Sequence, residues 1–232
     1  MQSCKKGSEE VLPNPDTNII KPLAYKDSVS FTINEKKYVF SKWIGFGSAN
    51  YPANIKMSSV KIPEKKLAYQ NGQYYWYGVP DSTLYAAKCA LYSNDLGPFN
   101  LSFTKKFKDS ELVSHRGLLY PQNHEQVFKT GEFGFASDLE AENTMEGVAL
   151  DFFENNRDNL VTSNLPGFPK EGSGDKKDIQ KNSSFYITKV EKTKEGMYII
   201  EARFELNMFD KNEKSYRVKD GFLKVLTPTF YY

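Results

Sequence analysis

Residues 200–206 read Ile200-Glu201-Ala202-Arg203-Phe204-Glu205-Leu206. Apolar side chains at 200, 202, 204 and 206 alternate with charged ones at 201, 203 and 205. Successive side chains of a β-strand point to opposite faces, so this stretch predicts a strand with one face in a core and one in water. A helix would space its apolar residues three and four apart. The same period recurs outward along the chain. Val29, Phe31 and Ile33 alternate with Ser28, Ser30 and Thr32. Leu101 and Phe103 alternate with Ser102 and Thr104, and Val148, Leu150 and Phe152 with Ala149 and Asp151. Residues 84–92 make a longer strand candidate.

Turn signals separate these runs. Asn34-Glu35 leads the first strand into residues 36–42. Asn71-Gly72 is a two-residue hairpin signal ahead of Tyr74-Tyr75-Trp76-Tyr77, and Asp220-Gly221 predicts a hairpin from Tyr216-Arg217-Val218 into residues 222–226. Helical signals are thin. Ser137-Asp138-Leu139-Glu140 fits a capping box with no apolar stripe behind it, and Asp109-Ser110-Glu111-Leu112 suits one turn. Fifteen tyrosines and 17 phenylalanines favour strands. The expected fold is all-β: an antiparallel β-sandwich in a single domain, with a lipocalin-like β-barrel as the alternative.

Composition narrows the function classes. The 31 basic and 29 acidic residues are mixed along the chain, so the basic stripe of a nucleic-acid binder is missing and no nucleic-acid partner is expected. No run of 18 apolar residues exists to predict a membrane-spanning helix. A domain of about 200 residues buries roughly 70% of its unfolded surface, enough to fold without a disulfide or metal. Of the two cysteines, Cys89 lies in Ala87-Lys88-Cys89-Ala90-Leu91, the setting of a small buried strand residue. Residues 164–183, rich in Gly, Pro and charge, are expected to be a loop, as are residues 121–125.

Cys4 follows a small residue, Ser3, and precedes a polar run. That pattern predicts lipid attachment at Cys4, the signal segment having been removed. Residues 1–25 are then an anchor remnant and tether, stiffened by Pro13, Pro15 and Pro22, and residues 26–232 are the β-rich domain. Ser8-Glu9-Glu10 is similar to the short acidic signals that send such lipoproteins to the cell surface.

Four C-terminal stretches carry a resemblance: Gly172-Ser173-Gly174-Asp175, Asn182-Ser183-Ser184-Phe185-Tyr186-Ile187-Thr188-Lys189-Val190, the opening strand, and Val218-Lys219-Asp220-Gly221-Phe222-Leu223-Lys224-Val225. With Phe31-Thr32-Ile33-Asn34-Glu35-Lys36-Lys37-Tyr38 at the other end, the chain resembles a group of uncharacterised β-rich lipoproteins of Bacteroidota. Members of that group show Asn-Gly where this chain has Asn34-Glu35. The resemblance covers residues 28–45 and 147–226. It implies an exported lipoprotein in the bacterial cell envelope, at the outer membrane, facing the periplasm or the outside. It carries over no catalytic residues.

The residues themselves suggest little chemistry. His115 and His124 lack the i, i+4 spacing of a helical zinc site, and His124-Glu125 fits a solvated loop pair. No Gly-x-Ser-x-Gly elbow occurs, and Gly45-Phe46-Gly47-Ser48 suits a flexible turn. Carboxylates crowd residues 138–158, and Asp151, Glu154 and Asp158 form a candidate calcium set without the spacing or central glycine of an EF-hand. Solvated acids at strand ends are the plainer explanation. Alternation puts Tyr74 and Trp76 on one strand face, a candidate ligand platform, while Trp43-Ile44-Gly45-Phe46 is expected in the core. No cofactor motif is present. These features together suggest a non-enzymatic, membrane-anchored binding module whose partner is a glycan or another envelope protein. The alternatives are a carboxylate-dependent hydrolase of polysaccharide and a structural spacer in a surface assembly.

Overall fold

The structure, a computed structural model, describes residues 26–52, 67–70, 73–76, 81–115, 117–140, 143, 145–154, 159–163 and 179–227, with residues 52, 67–70 and 73–76 described by backbone alone. The strands are β1 (Ser28–Ile33), β2 (Lys36–Phe40), β3 (Lys42–Pro52), β4 (Leu67–Gln70), β5 (Gln73–Trp76), β6 (Ser82–Tyr92), β7 (Phe99–Lys108) and β8 (Leu112–His115). They continue as β9 (Leu118–Pro121), β10 (Gly131–Glu132), β11 (Gly147–Phe152), β12 (Leu160–Val161), β13 (Ser184–Lys192), β14 (Tyr198–Phe209) and β15 (Ser215–Thr227). Two single 3₁₀ turns, Asp109–Glu111 and His124–Gln126, supply the only helical backbone among the described residues.

The opening stretch lies in β14, the hub of an 11-stranded antiparallel sheet ordered β2-β1-β15-β14-β12-β11-β7-β6-β3. Ile200, Ala202, Phe204 and Leu206 are buried, as their period requires. β14 pairs β15 along one flank; along the other it pairs β13, then β12 at Phe209. β10 continues from β13, and an isolated parallel bridge joins Phe135 to Val148 of β11. The ends of the sheet are β2 and β3, and a single residue, Ser41, links them. Phe40 is opposite Val29 on β1, whereas Lys42 is already opposite Tyr92 on β6. The chain thus steps from one end of the sheet to the other, and the sheet curls into a nearly closed barrel around one core. Its two halves face each other as sandwich layers do, so the expected all-β antiparallel architecture is what the chain forms.

Aromatic rings fill the interior. Phe31 is central: its ring lies 5.3 Å from Phe152, 5.4 Å from Tyr38 and 5.9 Å from both Phe40 and Phe99. Phe185 stacks on Phe204 at 5.7 Å, and Phe103 meets Phe185 edge-on. Space that a lipocalin-type barrel keeps for a ligand is taken by these side chains. The β8–β9 hairpin covers one end through Leu112 and Tyr120.

Four local expectations are corrected. Asp220-Gly221 is not a hairpin turn. It is a bulge inside β15, since Phe204 faces Gly221 while Leu206 faces Val218, and Asp220 takes a φ of 53°. Trp43 and Ile44 are not core: they are 52% and 53% exposed at the free margin of β3, and only Phe46 packs inward. His124 is half-buried against the Tyr85 ring, 6.2 Å away, instead of solvated. Ser137–Glu140 makes a turn, not a helix. The β4–β5 hairpin forms as expected, with Gln70 opposite Gln73. Most of the 164–183 loop lies outside the described residues.

The β1–β2 turn holds both Asn34 (φ 47°) and Glu35 (φ 65°) left-handed, the conformation of a type I′ turn. Asparagine tolerates this and glutamate does not. Glu35→Gly is therefore expected to raise stability by about 0.5–1 kcal/mol, the relieved strain exceeding glycine's added unfolded-state entropy. An unchanged or lower urea midpoint would contradict that.

Candidate functional site

The alternation that fills the core turns every second side chain of β3, β6, β7, β11 and β12 outward. Register lines those residues up in two rungs across the outer face. One rung runs Gly45, Ala90, Asn100, Asp151, Val161; the other runs Gly47, Lys88, Ser102, Ala149. Small residues dominate both, and a cleft of about 550 Å³ opens above them. Glycine weakens a strand interior by roughly 0.5–1 kcal/mol and usually answers a close backbone approach or a positive φ. Neither applies at Gly45 or Gly47: among the described residues a Cβ on either would meet nothing within 4 Å. Folding does not require glycine at these positions. What they leave is open space.

One wall is the 136–140 turn. Leu139 packs on Ala149, and Asn143 Oδ1 accepts the Glu140 amide at 2.8 Å, holding Glu140 left-handed at φ 65°. Glu140 thereby meets Lys88 at 2.6 Å and accepts the Tyr51 hydroxyl at 3.2 Å. The Lys88 ammonium beside it holds the Glu140 carboxyl below the usual range. Burial pulls Lys88 down, but its bonds to Glu140 and Tyr51 outweigh this and leave it raised. The facing side holds Asp151, whose Oδ1 accepts Asn100 Nδ2 at 2.8 Å. Burial pushes the Asp151 carboxyl up, Asn100 partly offsets that, and the negative charge of Glu140 adds to it. Asn159 and Ser163 flank Val161, fixed by buried Thr162, whose amide and hydroxyl both bond Leu150 O. Asn159 Oδ1 is buried and accepts no hydrogen bond. At the rim Phe153 is 44% exposed, gripped through its backbone by Gly97 N–H (3.1 Å) and Pro98 O (3.3 Å).

Burial raises the folded pKa of Asp151 above its unfolded value. The folded state then binds the proton more tightly, so this group favours folding most below about pH 3.8 and progressively less as pH rises through the folded pKa. Asp151→Asn is expected to raise the urea midpoint at pH 7 and to leave it unchanged at pH 3. A difference that does not vary with pH would contradict the assignment.

The structure separates the candidate calcium set. Asp151 faces the cleft. Glu154 is buried towards the core, accepting Lys36 Nζ and the Tyr38 hydroxyl (3.1 Å), and Asp158 lies outside the described residues. Among the described residues no three His, Cys, Asp or Glu side chains gather as metal ligands do. For Tyr74 and Trp76 the structure describes the β5 backbone and not the side chains, and Cys4 lies outside the described residues. Cys89 is buried beneath the cleft, its thiol pushed up to about 12 by burial, and is inert as a nucleophile.

The sequence pointed to Asp151, and to Glu140 as one of several acids. It missed Lys88, Asn100 and Asn159, which reach the cleft only through register. Gly45-Phe46-Gly47 is strand, not a flexible turn, and its two-residue spacing was the available signal: both glycines fall on one face. The cleft offers paired charges, amides, hydroxyls and one exposed aromatic ring, a set suited to holding a polar ligand. No family model matches the chain, and no curated protein and no solved structure is similar to it.

Proposed function

We propose that this chain is an exported, lipid-anchored β-domain of the bacterial cell envelope that acts as a non-enzymatic binding module, with the outer-face cleft as its binding site. One observation carries the choice of site: two strand glycines with no packing reason to be glycine leave the cleft open. Anchoring rests on Cys4 and on the resemblance described above. Expressed in a bacterium behind a lipoprotein signal segment, the chain is expected to incorporate labelled palmitate, and Cys4→Ala is expected to abolish the label. An unlabelled parent chain would sink the anchor.

A second function is favoured by a specific feature. Glu140 and Asp151 line the same cleft, and their surroundings push their pKa values in opposite directions. Such a pair is what a carboxylate-dependent hydrolase of polysaccharide needs. Against it, Glu140 is held by Lys88 and Tyr51. Reducing-end release from polysaccharides separates the two functions. A binding module releases no more than its Asp151→Asn/Glu140→Gln double variant, and release well above that variant establishes the hydrolase.

A further inference from the structure

We infer that the cleft takes a neutral saccharide, with a sugar ring against Phe153 and a hydroxyl donated to Asp151. The inference rests on the binding function proposed above and adds its ligand chemistry.

Donors and acceptors decide the class first. Asp151 accepts one bond, from Asn100, and has a second oxygen to offer. A ligand seated here must therefore bring hydrogen-bond donors. Ser102 and Ser163 add hydroxyls that can donate or accept, matching groups that do both.

Charge narrows the class. Lys88, the one cation lining the cleft among the described residues, is committed to Glu140 at 2.6 Å and stands over the Tyr51 ring at 5.6 Å. Asp151 adds negative charge. Among the described residues a uronate or sulfated sugar would meet a carboxylate and no uncommitted ammonium, which disfavours it. A neutral sugar meets no such penalty.

Shape completes the argument. Phe153 is an exposed aromatic whose backbone is fixed by two hydrogen bonds, and it lines the mouth of a polar cleft. A sugar ring has the matching two-sided character, apolar C–H groups on one face and hydroxyls at its edge. A flat apolar ligand would use Phe153 and leave Asp151 unmet. An amine would use Asp151 and leave Phe153 idle.

The test uses the full chain and follows backbone amide shifts. Probes are neutral oligomers of glucose, xylose, mannose and N-acetylglucosamine, with oligogalacturonate as the anion and a chitosan oligomer as the cation. At least one neutral oligomer is expected to shift amides of β3, β6, β7, β11 and β12 saturably. Phe153→Ala, at the rim, and Gly47→Val, which fills the floor, should each weaken that binding about tenfold or more. Oligogalacturonate should not bind. If a charged oligomer binds the same amides more tightly than any neutral one, and Gly47→Val abolishes it, the neutral-saccharide assignment is overturned while the binding cleft stands. If no probe moves these amides, both fall.

Discussion

Phe31→Ala is expected to destabilise the domain by about 3–5 kcal/mol, the range for emptying a large aromatic from a packed core. Phe31 is 1% exposed and its ring lies within 6.3 Å of five other ring centroids, on Tyr38, Phe40, Phe99, Phe152 and Phe204. Those rings belong to β2, β7, β11 and β14, so Phe31 joins the two halves of the sheet across the core. Close packing leaves the neighbours little room to collapse into the hole. Against a total stability of about 5–15 kcal/mol, such a loss removes a large share. Urea unfolding at constant m-value measures it; a loss under about 1 kcal/mol would mean that the barrel is not packed around this ring.

Gly221→Ala is expected to cost about 3 kcal/mol, although it adds one methyl group. A Cβ at Gly221 would overlap both the ring and the carbonyl oxygen of Phe204 on the neighbouring strand. Phe204 cannot swing aside, because Phe185 stacks on it at 5.7 Å with an interplanar angle of 14°. Overpacking of this kind typically costs 1–3 kcal/mol, and here backbone must move as well as side chain. The site is also where β15 carries its extra residue, so a shift of β15 away from β14 would disturb its register with β1 on the far side. Phe204→Leu in the Gly221→Ala background should recover part of the loss. If Gly221→Ala unfolds at the parent midpoint, the ring does not cover the bulge.

These two sites show what was and was not legible in the chain. The strands were legible, because burying one face imprints a period of two that survives any topology. The bulge was not. Asp220-Gly221 supplies the same positive-φ chemistry to a hairpin turn and to a bulge. Only the pairing of residues 218 and 222 with β14, the preceding strand, distinguishes them. Trp43 and Ile44 were misplaced for a related reason: their composition suits a core, but β3 ends the sheet and leaves both about half exposed. The separation of Asp151 from Glu154 could have been foreseen. In extended chain an odd spacing puts two side chains on opposite faces. The cleft itself joins residues from 45 to 163 and exists only once the register is set.

The central claim is that the cleft is kept open by residues that folding does not require. The most direct test is the urea midpoint of Gly47→Val. Valine suits a strand, glycine does not, and among the described residues nothing comes within 4 Å of a Cβ at Gly47. The account predicts that Gly47→Val folds and is more stable than the parent by about 0.5–1 kcal/mol. A midpoint below that of the parent would show that packing, not ligand binding, keeps glycine there, and would contradict the account.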